Sequence, residues 1–129
     1  MEKKEALDAD LVQEFVVKAH GDLQRTRELL DAEPALVNAA WDWGGGDWET
    51  GLGGAAHMGR RDIATFLLDR GARIDLFAAA MLGELAFVKA AISALPSARD
   101  VAGPHGISLL AHAQAGGEQA KAVVEFLSN

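Results

Sequence analysis

The chain contains no cysteine and no tyrosine. Without cysteine there can be no disulfide, no thiolate metal site and no thiol nucleophile, a usage that fits a reducing compartment. Proline occurs three times and aromatic residues make up only 6% of the chain. No apolar run reaches the ~20 residues of a membrane span, because Glu84 and Lys89 break the nearest stretch, Leu76–Pro96. The opening Met-Glu-Lys-Lys-Glu lacks the apolar segment of a signal peptide, so a cytoplasmic location is expected. Positive charge is also scarce. Twelve Lys and Arg face 19 Asp and Glu, a net charge of −7, which leaves little to displace counterions from phosphate and argues against a nucleic-acid partner.

What remains is 129 residues, half of them apolar, enough for one domain with a real core. The pattern is helical. Asp8 to His20 carries Leu11, Val12, Phe15, Val16 and Ala19 on one stripe, and Gly21 stops it. Asp22 is placed to cap a second helix through Leu29 and Leu30, closed by Pro34. The same grammar predicts helices over Leu52–Met58, Asp62–Arg70, Leu76–Leu82, Leu85–Leu95, Ser108–Ala115 and Gln119–Leu127. That makes four antiparallel pairs, each turned by glycine, with no strand of five or more residues. The turn glycines, Gly21, Gly59, Gly83 and Gly116, stand roughly 38, 24 and 33 residues apart, near the spacing of a solenoid unit.

On these residues the chain resembles the ankyrin-repeat family. Glu49-Thr50-Gly51-Leu52-Gly53-Gly54-Ala55-Ala56-His57-Met58-Gly59, continuing through Ile63, Leu67-Leu68 and Gly71-Ala72-Arg73-Ile74-Asp75, is similar to one family unit. Gly106–Ala113 matches its opening again, and Asp31–Asn38 resembles the variant with a proline-containing loop. The resemblance implies an all-α solenoid of about four helix pairs in a single domain, residues 1–129. Two departures stand out. Gly51 and Gly53 replace the family's Pro and His, so cohesion around Gly53 is expected from apolar packing. The finger between Asp75 and Leu76 is missing, which predicts a tight turn without a hairpin, while the first finger is enlarged.

That enlarged finger is the oddity of the chain. Between Arg27 and Arg60 there is no Lys or Arg, yet Glu28, Asp31, Glu33, Asp42, Asp47, Glu49 and all three Trp fall there, around Gly44-Gly45-Gly46. One indole, Trp41, suffices to close the core. Indole faces beside carboxylates suit a cation, so Trp41, Asp42, Trp43, Asp47, Trp48 and Glu49, with His57, Met58 and Met81 beside them, are the expected binding residues. The function expected is non-enzymatic binding of a partner protein with an exposed Arg or Lys, through the concave face and the Trp-rich finger, by a monomer that needs no cofactor. The alternatives are a small enzyme or small-molecule binder, with Asp42, Asp47 or Glu49 near His57 as acid and base, and a structural subunit that self-associates.

Other chemistries find less. Gly51-x-Gly53-x-x-Ala56 fits a dinucleotide fingerprint, but no buried strand precedes it and Gly59 breaks the helix that should follow. No serine sits in a nucleophile elbow. The four histidines, His20, His57, His105 and His112, form no metal-binding helix motif, so no metal is expected. His57 and His20 hold nearly equivalent places at the ends of successive inner helices, where the helix dipole favours them.

Overall fold

The computed structural model describes residues 2–129. It contains eight α-helices: α1 (Ala9–Lys18), α2 (Leu23–Ala32), α3 (Gly51–His57), α4 (Arg61–Asp69), α5 (Leu76–Leu82), α6 (Leu85–Ala94), α7 (Leu109–Ala115) and α8 (Lys121–Leu127). Side-chain caps explain where several begin. Asp22, Thr50, Asp75 and Ser108 each accept a hydrogen bond from the backbone N–H three residues on, at the starts of α2, α3, α5 and α7. Consecutive helices pack in pairs, and α1, α3, α5 and α7 touch one another in that order. α5 starts directly after Asp75, and there is no hairpin between residues 70 and 85.

The all-α expectation is corrected at one place. Two three-residue strands, β1 (Ala40–Asp42) and β2 (Trp48–Thr50), make an antiparallel hairpin in which Trp41 pairs with Glu49 and Asp42 with Trp48. The turn explains why it forms there. Gly44, Gly45 and Gly46 all have positive φ, a region costly for residues with a Cβ. The Asp42 Oδ1 accepts hydrogen bonds from the Gly44 and Gly46 N–H at 2.8 and 3.0 Å.

Two apolar clusters fill the interior. The first joins α1–α4 through Phe15, Val16, Leu30, Leu36, Leu52, Ile63 and Leu67, and reaches Met81 on α5. The second joins α5–α8 through Val88, Ile92, Leu109 and Val123. Ala55, Ala56, Ala78, Ala79 and Ala80 are fully buried, their small side chains letting the odd-numbered helices approach closely. Away from Gly53, polar ties also join the pairs. Arg60 donates to the Gly21 carbonyl at 2.7 Å, and Arg61 to the Leu82 and Met81 carbonyls at 3.1 and 3.2 Å. Asn38 bridges to the Gly71 carbonyl and the Arg73 N–H. No described helix is long and apolar enough to cross a membrane.

Candidate functional site: three imidazoles around a buried carboxylate

Strand alternation sets the site. Trp41, Trp43 and Glu49 share the face of the hairpin turned toward the helices, while Asp42 and Trp48 take the other face. Glu49 is thereby driven inside and is 1% exposed. A lone buried carboxylate is costly, so partners are required. Its Oε1 accepts a hydrogen bond from the Trp43 indole N–H at 2.9 Å. The remaining neighbours are histidines: His20 Nε2 lies 3.0 Å and His105 Nε2 3.3 Å from Oε1, and His57 Nε2 3.1 Å from Oε2.

Each ring arrives from a different element. His20 follows the last turn of α1, His57 ends α3, and His105 lies in the loop before α7. Their rings meet edge to face. The centroids of His20 and His57 are 4.9 Å apart, and those of His57 and His105 5.4 Å. Trp43 closes the group against His20 and His105. Gly54 makes room, since a Cβ there would stand 2.6 Å from the His20 ring.

The outer nitrogens decide what the inner ones can do. His20 Nδ1 is 2.8 Å from the Val16 carbonyl, to which it can only donate. His105 Nδ1 is 2.6 Å from Asp47 Oδ2, while Asp47 Oδ1 takes the His105 backbone N–H at 2.8 Å. In the neutral rings this leaves the Nε2 lone pairs of His20 and His105 facing inward. His57 Nε2 and Glu49 Oε2 are both buried, yet make no hydrogen bond at their 3.1 Å separation. Three imidazole nitrogens and a carboxylate therefore converge on one space. Wherever two of their lone pairs face each other, a proton or a cation is needed between them.

The electrostatics agree. Burial pushes the Glu49 carboxyl up, but the contact with His20 and the fields of His20, His105 and His57 hold it below the ordinary carboxylate value. His20 is raised above the usual histidine value, chiefly by Glu49, against burial. His57 is pushed below it, chiefly by burial, which outweighs the pull of Glu49. Asp47 is lowered, first by the His105 backbone N–H.

Of the residues expected from sequence, the structure brings together Trp43, Asp47, Glu49 and His57. Trp41 packs half-buried against the first apolar cluster. Asp42 is occupied in the glycine turn, and Trp48, 60% exposed, points away from the cluster. Met58 is exposed, whereas Met81 is fully buried and can line no surface. His20 and His105 complete the group although neither was among the expected residues. His112 is buried elsewhere, its Nδ1 on the Ser108 carbonyl at 2.7 Å. The ligand atoms of His20, Glu49, His57 and His105 all lie within 4.8 Å of one another.

No family model, curated protein or solved structure matches the chain. The chemistry must be argued from the cluster itself. Three imidazoles and a carboxylate, without thiolate, suit borderline divalent metals such as zinc, iron(II), cobalt or nickel. The outer hydrogen bonds of His20, His105 and Glu49 are of the kind that orient metal ligands.

Proposed function

We propose that this protein is a metal-binding module built on an ankyrin-type helical solenoid. It holds one divalent transition-metal ion, zinc in first place, through Nε2 of His20, His57 and His105 and the Glu49 carboxylate. The observation that carries this is the contact between His57 Nε2 and Glu49 Oε2: two buried atoms side by side with no hydrogen bond, in a space that other lone pairs also face. A tetrahedral centre with bonds near 2.0–2.1 Å places its donors roughly 3.4 Å apart. The donors here stand 3.0–3.3 Å from Glu49 and within 4.8 Å overall, so small rotations complete the site. Four protein donors in a solvent-poor setting favour holding the ion over reaction at it.

The test is metal content and competition. The full chain, purified without chelator, should carry about one equivalent of metal, and the metal-free chain should take zinc from a chromophoric chelator. Cobalt(II) in the same site should give the strong visible bands of a tetrahedral ion. Glu49→Gln and His57→Ala should lose both. A wild-type chain that neither retains metal nor competes for it leaves a protonated histidine–carboxylate cluster instead.

A second reading, binding of a partner protein with a cationic anchor, is favoured by exposed Trp48. Its indole borders a groove of about 370 Å³ that Phe77, Pro104, Asp47 and Asp75 also line, with no basic residue among the lining side chains. Titration of an Arg-rich peptide against wild type and Trp48→Ala tests it. Equal, negligible binding to both removes it.

A further inference from the structure

Three of the four donors belong to one connected body. α1 packs on β1 and α3, and α3 on β2, so His20, Glu49 and His57 are held by mutually packed elements. His105 is different. It comes from the 101–107 segment, 48 residues beyond His57 in the chain, and no side chain from 101 to 106 is buried. The segment is held by its own hydrogen bonds and, outside it, chiefly through His105, whose ring meets Asp47, Glu49, Trp43 and His57. Gly103 N–H donates to Ile107, Gly106 N–H to Gly103 and Ile107 N–H to Pro104. Asp47 accepts both the backbone and the ring N–H of His105. His105 also sits at φ +61, the sole non-glycine residue with positive φ among those described, a conformation unfavourable for a residue with a Cβ. A segment with few apolar anchors and a strained residue opens at low cost.

An entry path is needed. Glu49 Oε2 and His57 Nε2 are closed to solvent, so an ion reaches them only when something covering them moves. The cheapest such movement lifts His105 away. Resting on the metal-centre reading above, we infer that the 101–107 segment is a metal-operated latch. It opens to admit the ion and is fixed against the β1–β2 hairpin when His105 becomes the fourth ligand. Latching also defines the groove beside Trp48. That groove is lined by Gly46–Trp48 of the hairpin and Ala102–Pro104 of the segment, together with Asp75 and Phe77. The metal then controls whether that groove exists.

Hydrogen exchange on the full chain, with saturating zinc as the probe, tests this. The amides of Gly103, His105, Gly106 and Ile107 are the reporters, because each is hydrogen-bonded in the closed segment. Zinc should slow their exchange at least tenfold more than it slows helix α6. His105→Ala keeps three donors, so at saturation it should bind zinc without slowing these amides. Its zinc should pass to a chelator at least tenfold faster than from wild type. Asp47→Asn, which keeps all four donors, should be intermediate in both measurements. Zinc bound by wild type with no protection of 101–107 overturns the latch while the metal centre stands. Failure of wild type to bind zinc at all removes both.

Discussion

Gly54→Ala separates the demands of the helix from those of the site. Gly54 lies inside α3, where alanine is ordinarily the better residue by about 0.5–1 kcal/mol. Here the new Cβ would stand 2.6 Å from His20 Cε1 and Nδ1, about 0.8 Å inside the ordinary contact limit of 3.4 Å. The backbone of α3 cannot retreat easily, because Gly51, Leu52, Ala55 and Ala56 are all buried around it. The imidazole must therefore swing, which breaks the 2.8 Å bond from Nδ1 to the Val16 carbonyl and carries Nε2 away from Glu49. Overpacking of this kind costs about 1–3 kcal/mol. Set against the propensity gain, the net loss is about 0–2.5 kcal/mol. Chemical denaturation should thus show modest destabilisation, while chelator competition shows zinc affinity down at least tenfold, as expected for a displaced ligand. Wild-type zinc affinity together with raised stability would mean that His20 is not held where the glycine makes room for it.

Trp43→Phe removes the indole N–H from Glu49 Oε1 but keeps an aromatic ring, so zinc affinity in chelator competition should fall about tenfold with little loss of stability. Leu67→Ala should cost on the order of 2–4 kcal/mol in urea unfolding, because Leu67 is fully buried. Leu68→Ala should cost less, as Leu68 is only half-buried against the same cluster. In the metal-free chain, NMR titration should find His20 taking its proton above the ordinary histidine value of 6.5 and His57 below it. The reverse order would contradict Glu49 as the hub. A protonated His20 must give up its proton to bind metal, so zinc affinity should be lost as pH falls through the His20 value, which lies above the ordinary 6.5.

The helices were legible because their marks are local. Asp22 precedes an apolar run as a cap, and the helix at Leu76–Leu82 ends at Gly83 as expected. The hairpin was harder. Its strands are three residues long, too short for alternation to stand out, and Gly44–Gly46 reads equally well as an open loop. The overlooked mark was the pairing of Trp41 and Trp43 on alternate positions before the turn with Glu49 after it. Those residues share a face only if the two segments pair. The site was half legible. His20 and His57 end successive inner helices, so their nearness follows from helix pairing. His105 carries no such mark, because only the tertiary placement of the 101–107 segment brings it to Glu49. Spacing rules for metal ligands describe sites made within one local motif, and this one draws on four separate segments.

The same distinction reverses the meaning of the acidic window. Six acids without a base between Arg27 and Arg60 suggest a field waiting for a partner's cation. In the fold each has a partner within the chain. Glu28 accepts from Arg25, Asp31 from Arg70, and Glu33 from the Ala35 N–H. Asp42 holds the glycine turn, and Asp47 holds His105. The absence of Lys and Arg is thus a property of sequence neighbourhood, not of surroundings in space. Glu49 alone remains unbalanced. It is the most deeply buried of the six, and its only ionisable partners are imidazoles. Two of those rings have committed their outer nitrogen to a backbone carbonyl or to Asp47. Burial favours the neutral form of His57. On the proposed metal-centre reading, a divalent ion would answer the carboxylate and the three imidazoles at once, and the cation drawn to this window would be one held inside the chain at Glu49.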